Sequence, residues 1–233
     1  MSKTRPYTGV TMRSLAELLV SVLVVIALTD AETLRFQSQS QQVVRQRTDE
    51  KENKPSFCHD LDCPAYKVVN TTTDYEVRRY SPSSWMSTNL AGADFRAAQY
   101  TLFMRLFRYI SGANEKKEKI AMTAPVLVRI IPGQGPTCAN NFTMSFFNSP
   151  SEPNLPAPTD PTVFFSKLPM QTVYVSHFGG FATKDLWLQN AAKLLAALQR
   201  DKVKVITDHY YTAGYDSPFR LFNRHNEVWF VGE

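Results

Sequence analysis

The sequence predicts an α+β fold in which duplicated β-β-α-β-β halves form one eight-stranded, mostly antiparallel, barrel-like sheet flanked by two long helices. Three observations point to it. Short runs rich in β-branched and aromatic residues alternate with turn-forming residues, the pattern of strands. Two longer runs, 94–111 and 183–200, carry apolar residues at helical spacing. The elements also recur in the same order at an offset of 89 residues, which links Thr123-Ala124 to Thr212-Ala213.

The first 31 residues do not read as part of that fold. Lys3, Arg5 and Arg13 precede the apolar run "LLVSVLVVIAL" at 18–28, and the small residues of "TDA" follow. This is the layout of a secretory signal peptide, with cleavage expected after Ala31. The apolar run is about half of the ~20 residues that a bilayer-spanning helix needs. Residues 32–56 are rich in Gln, Ser and charge with few apolar anchors, so they are expected to form a flexible polar leader. The folded domain is expected over 57–233.

Within it, "YEVRRY" (75–80) and "WMSTNL" (85–90) are strands separated by the turn "SPSS". In 94–111, Phe95, Ala98, Leu102, Leu106 and Tyr109 form an apolar stripe, Asp94 is an N-cap and Gly112 a stop. Strands follow near Val126–Ile131 and Phe142–Phe147. Residues 148–161 hold five prolines and are expected to form an irregular connection between the repeats. Beyond it come strands at 163–168 and 172–178, a helix over Thr183–Arg200, and strands at 209–215 and 226–231. Each half, of roughly 75 residues, would have a marginal core alone, so the two sheets are expected to merge.

The net charge is +5, and removing the signal segment leaves +4, with no Lys/Arg run longer than two. No basic patch of the kind that binds nucleic acid is present. Membrane contact is expected only through the signal segment if it stays uncleaved, and no protein partner can be named. With the signal peptide, the sequons at Asn70 ("NTT") and Asn141 ("NFT") predict glycosylation and a secreted or secretory-lumen location. In that oxidising setting Cys58, Cys63 and Cys138 are disulfide candidates, and three cysteines leave the pairing open. A C-x4-C spacing with one further cysteine does not suit a zinc site, even with His59 adjacent.

The first helix is apolar on more than one face. Besides the stripe it carries Tyr100, Phe103, Met104 and Phe107. A surface helix needs only one buried face, so this surplus requires cover by a loop, a partner protein or a flat apolar ligand. Arg105 and Arg108 interleave with it, a combination suited to an amphiphile with an apolar body and anionic groups. Arg220, beside Phe219, offers another cation. Enzymatic motifs are missing: the sequence contains no G-x-S-x-G, H-E-x-x-H, P-loop or GxGxxG. Cys138 reads as disulfide-bonded or buried rather than as a nucleophile, and His59, His177, His209 and His225 read as ordinary surface or turn residues.

"YEVRRY", "NEKKEKIAMTAPV", "YYTAGYDSP" and "NRHNEVW" together resemble the SOUL/haem-binding protein family, with order and spacing agreeing over roughly residues 64–232. The resemblance implies a duplicated barrel with two helices and non-catalytic binding of haem or a related tetrapyrrole. Carried over by position, the cofactor-binding candidates are Tyr100, Phe103, Phe107, Arg108, Tyr215 and Arg220, with arginines facing the propionates. Some members are thought to ligate iron through a His just before the Tyr of the first strand. Here that position is Arg79, which cannot ligate iron. The expected function is a tetrapyrrole carrier or scavenger in the secretory pathway or outside the cell. The alternative is a protein- or membrane-interaction module that uses the same helix face without haem.

Overall fold

The computed structural model describes Arg35, Gln37 and residues 54–92, 94–133 and 140–233. The expected signal segment at 1–31, most of the leader at 32–56, and Cys138 lie outside the described residues. The chain divides into two compact units, 1–53 and 54–233. Of the first, Arg35 and Gln37 are helical and exposed. The second carries the fold and its whole sheet.

That sheet has nine strands: β1 (Tyr66–Thr71), β2 (Glu76–Tyr80), β3 (Ser83–Ala91), β4 (Val126–Ile131), β5 (Asn141–Phe147), β6 (Val163–Leu168), β7 (Gln171–Phe178), β8 (Tyr210–Gly214) and β9 (Asn226–Val231). Two helices, α1 (Phe95–Ile110) and α2 (Lys184–Arg200), complete the domain. The strand order is β1-β2-β7-β9-β8-β4-β5-β3-β6, with all pairings antiparallel, so the sheet curls as a half-barrel open between β1 and β6. The ninth strand is β1, added outside the expected eight. It is an edge strand with five of six residues exposed, so it lacks the buried/exposed alternation by which strands are recognised.

The repeat is visible in this order. Exchange β2 with β6, β3 with β7, β4 with β8 and β5 with β9, and the eight strands from β2 to β6 read back unchanged. The offset of 89 holds for the helix starts, Phe95 and Lys184, but not for the strands. Trp85 of β3 and Val173 of β7 pack in one cluster, as do Leu127 of β4 and Tyr211 of β8. Each pair is an even number of residues apart. An odd offset would turn one member to the opposite face. The two Thr-Ala dipeptides are therefore not equivalent joints. Thr212-Ala213 lies inside β8, paired with Val128 and Leu127, whereas Thr123-Ala124 precedes β4 at the cis Ala124–Pro125 bond.

Helix ends follow local chemistry. The Asp94 carboxylate accepts from the Arg96 and Ala97 amides, and the Thr183 hydroxyl from that of Leu186. Gly112 stops α1 at φ +116°, where a side chain would be strained. Ala98, Leu102, Leu106, Tyr109 and Ile110 are the buried face of α1. It rests on β3, β5 and β6, while α2 rests on β7 and β9. The central strands β8 and β4 lie between the two helices' footprints. The opposite face of the sheet buries a second cluster, around Trp85, Tyr80, Leu127, Tyr211, Tyr215 and Trp229. Leu61, from the segment closed by the Cys58–Cys63 disulfide, and Phe57 just before it pack against this cluster.

Candidate functional site

On α1, Phe103 and Phe107 stand one turn apart with rings nearly parallel, centroids 5.8 Å apart and planes at 14°. Phe103 also meets Phe146 of β5 edge-on at 5.6 Å. Such contacts fix the platform's orientation. Tyr100, three residues before Phe103, is 71 % exposed, and Phe107 is 38 % exposed. The apolar surplus read from the sequence is thus only partly covered from within the domain.

Beside this platform lies a small cleft whose free space, about 20 Å³, has room for roughly one water molecule and not for a macrocycle. Tyr109 and Ile110 of α1, Ile120 and Met122 of the following segment, Val126, Phe146 and Leu155 line it. One wall is the proline-rich connection, so a loop does cover the end of α1. The Tyr109 hydroxyl donates to the Pro156 carbonyl at 2.8 Å, and the Glu115 amide to that of Ala157 at 2.9 Å. Burial, with Glu152 nearby, pushes the Tyr109 phenol up to about 12. It stays neutral and keeps donating.

The arginines lie on another flank. At 100° per residue, Arg108 is about 140° round the helix from Phe103. Arg105 turns to β3, donating to the Asn89 carbonyl at 3.1 Å. Hydrogen bonds from Thr162 hold the Asp160 carboxyl below its ordinary value, and the charges of Arg105 and Arg108 act in the same direction. Arg108 itself is exposed, next to Phe107 on the outward crest of the helix.

Tyr215 and Arg220 are not brought to α1. Tyr215 is buried in the second cluster, its hydroxyl donating to Glu227 at 2.9 Å. Arg220 is held by Asp216 at 3.2 Å and donates to the Phe222 carbonyl at 3.1 Å. The structure therefore gathers Tyr100, Phe103 and Phe107 on one flank, sets Arg108 at its border, and places Tyr215 elsewhere. Asn70 and Asn141 are both exposed. Cys58 bonds to Cys63, which decides the pairing among the described cysteines.

The sequence reading missed a buried polar centre. Glu227 is fully buried and accepts from Arg78 Nη1 at 2.9 Å, Tyr215 Oη at 2.9 Å and Trp229 Nε1 at 2.8 Å, with His225 Nε2 at 2.7 Å. Arg78, also buried, reaches Glu76 at 2.8 Å and lies 4.5 Å from the centre of the Tyr66 ring. Phe57 stacks flat on His225 at 3.9 Å. Burial works to raise the Glu227 carboxyl, but the His225 hydrogen bond and the Arg78 charge outweigh it and hold it below its ordinary value. Burial raises the Tyr80 and Tyr215 phenols well above theirs. The available signal was a charge on the inward side of each strand: Arg78 two residues before Tyr80, and Glu227 two before Trp229. This centre lies under the disulfide-closed segment and on a different face from the α1 platform.

The family model described as SOUL heme-binding protein matches residues 61–231. Human heme-binding protein 2 is 41 % identical over 162 residues, covering 67 % of this chain and 77 % of the relative. Heme-binding protein 1 of Xenopus tropicalis is 34 % identical over 158 residues, covering 67 % and 83 %. Among solved structures, the C-terminal domain of EcmrR shares the fold at a TM-score of 0.51 with 14 % identity, over 72 % of this chain and 98 % of that one.

Proposed function

The chain belongs to the SOUL heme-binding protein family, and from that premise we propose that it binds haem or a related tetrapyrrole, without catalysis, on the Phe103–Phe107 flank of α1. The observation that carries this is the stacked aromatic pair on α1, with Phe107 exposed and Phe103 partly so. A flat macrocycle has a large apolar face, and each Å² withdrawn from water is worth roughly 25 cal/mol. Tyr100 extends the same surface. Arg108, at the exposed border, is the cation we assign to a propionate. Tyr215 has its hydroxyl committed to Glu227, and Arg220 is engaged within its own loop, so neither is assigned a contact.

The residues present suit a macrocycle held mainly by its faces. Arg79, at the family's histidine position, is exposed and offers iron no ligand. Among the cleft-lining residues, Met86 and Met122 supply thioethers, and the Tyr109 phenol is already engaged with Pro156. When bound, an iron tetrapyrrole would supply the site's metal chemistry. The chain's part is to hold it and shield one face. The predicted signal peptide and the Cys58–Cys63 bond support a carrier or scavenger in the secretory pathway or outside the cell.

Hemin titration is the test. A saturable Soret shift near one equivalent is expected, weakened at least about tenfold in Phe107→Ala/Arg108→Glu. Unsaturable binding, unchanged in that variant, would overturn the assignment.

A further inference from the structure

The loop joining β8 to β9 ends in a tip that the tetrapyrrole reading does not use. Phe219, Leu221 and Phe222 are 90 %, 64 % and 79 % exposed. Soluble surfaces scatter single apolar residues, but three within four positions form a patch that calls for a partner. The loop is not slack. The Arg220 amide donates to the Ser217 carbonyl at 3.0 Å, and Arg224 Nη1 donates to the carbonyls of Ser217 and Arg220 at 2.7 and 2.6 Å. At its base the buried Asp216 carboxylate accepts from the His225 amide at 2.6 Å and meets His59 Nε2 at 2.9 Å. His59 belongs to the segment closed by the Cys58–Cys63 disulfide. The three apolar side chains are thus displayed on a braced support.

Positive charge accompanies them. The Arg224 guanidinium lies 4.4 Å from the centre of the Phe181 ring, itself a largely exposed aromatic. Arg224 Nη1 and Nη2 donate to backbone carbonyls rather than to a carboxylate and its buried Nε has no partner, so its charge stays beside the tip. Arg220, exposed next to it, is paired with Asp216 at 3.2 Å, so Arg224 is the cation the tip presents, on a chain of net charge +5.

We propose that this tip is a membrane-docking loop. Phe219, Leu221 and Phe222 enter the boundary between headgroups and acyl chains of an anionic bilayer surface, with Phe181 beside them and Arg224 at headgroup level. A convex tip of bulky side chains suits a fluid bilayer, which needs no complementary groove. Phe and Leu on interfacial segments bury at that depth, and arginines are drawn to anionic headgroups. Bracing lowers the ordering cost of insertion. Docking would bring a tetrapyrrole carrier to the surface where such amphiphiles partition, yet it uses no residue of the α1 platform.

The experiment is co-sedimentation of the full chain with vesicles of phosphatidylcholine and phosphatidylserine at about four to one, and of phosphatidylcholine alone. Phe219→Ser/Leu221→Ser/Phe222→Ser is expected to lower partition to the anionic vesicles at least about tenfold, leaving hemin titration and thermal unfolding unchanged. In Phe219→Trp, which keeps an interfacial aromatic, the introduced indole is expected to shift to the blue and be quenched by brominated lipid. The proposal is overturned if the wild type does not sediment with anionic vesicles, or if the triple variant partitions within twofold of it. It is also overturned if the triple variant loses only self-association, which assigns the tip to a second copy. Loss of hemin binding alone, with vesicle partition intact, assigns the tip to the tetrapyrrole site and overturns it too.

Discussion

Replacing Glu227 by glutamine keeps the side chain's shape and removes its charge from the buried centre. Arg78, 2 % exposed, then loses its buried counter-ion. Tyr215, Trp229 and His225 compete for one neutral oxygen, while the new amide N–H groups point at donors. Breaking a buried ion pair from one side costs about 3–5 kcal/mol. Glu76, partly exposed, still holds the Nε and Nη2 side of the guanidinium at 2.8 Å, which places the expected loss near the lower end, about 3 kcal/mol. For a domain of this size that is a fall in Tm of roughly 6–12 °C. Thermal and urea unfolding at pH 7 measure it. Arg78→Met/Glu227→Gln should lose less than the sum of its singles, by about 1–3 kcal/mol, because no unpaired charge remains. Acid supplies a second reading. The Glu227 carboxyl is held below its ordinary 4.5, so its contribution is present above that value and is lost as pH falls through the lower folded pKa. The gap between wild type and Glu227→Gln should therefore narrow in acid. A loss under about 1 kcal/mol at pH 7, or strict additivity in the double variant, would refute the account.

Tyr215→Phe removes one donor from Glu227, with an expected cost of about 1–2 kcal/mol in urea unfolding and hemin affinity within about twofold of wild type. A large loss of hemin affinity would return Tyr215 to the binding site. Reducing the Cys58–Cys63 bond, or replacing it with Cys58→Ser/Cys63→Ser, opens a short loop and should cost roughly 2 kcal/mol in denaturant. An unchanged midpoint would show that the segment's packing, not the crosslink, holds it. The chain secreted from eukaryotic cells should lose two glycans to a glycosidase, and one each in Asn70→Gln and Asn141→Gln. An unshifted band would remove the secretory reading.

Much of this architecture was legible because local signals and tertiary demands agreed. Strands at 126–131, 163–168 and 226–231 combine β-branched runs with turn residues, and α1 begins and ends at its cap and its glycine. What escaped was set by neighbours. β1 is recognisable only through its partner β2, because one edge and most of its side chains face water. Thr212-Ala213 matched Thr123-Ala124 in letters, but pairing with β4 drew it inside a strand. Arg78 and Glu227 lie 149 residues apart and look like two unrelated surface charges until the order β2-β7-β9 places them two strands apart. The candidate site divided along the same line. Phe103 and Phe107 are neighbours within one helix and were legible together, whereas joining them to Tyr215 required knowing which face β8 presents.

The duplicated strand order carries its own reference experiment. α1 and α2 occupy equivalent stations, and their inward positions are filled in both: Ala98 and Trp187, Leu102 and Ala191, Tyr109 and Leu198 are all buried. At the outward stations the helices part company. Where the first has Tyr100, Phe103 and Phe107, the second has Gln189, Ala192 and Ala196. One copy thus meets the demands of the scaffold alone, and the other carries the same scaffold plus an aromatic surface the scaffold does not require. Grafting that glutamine and the two alanines onto α1 would make the halves alike, and whatever the protein then ceases to do belongs to the departure from symmetry.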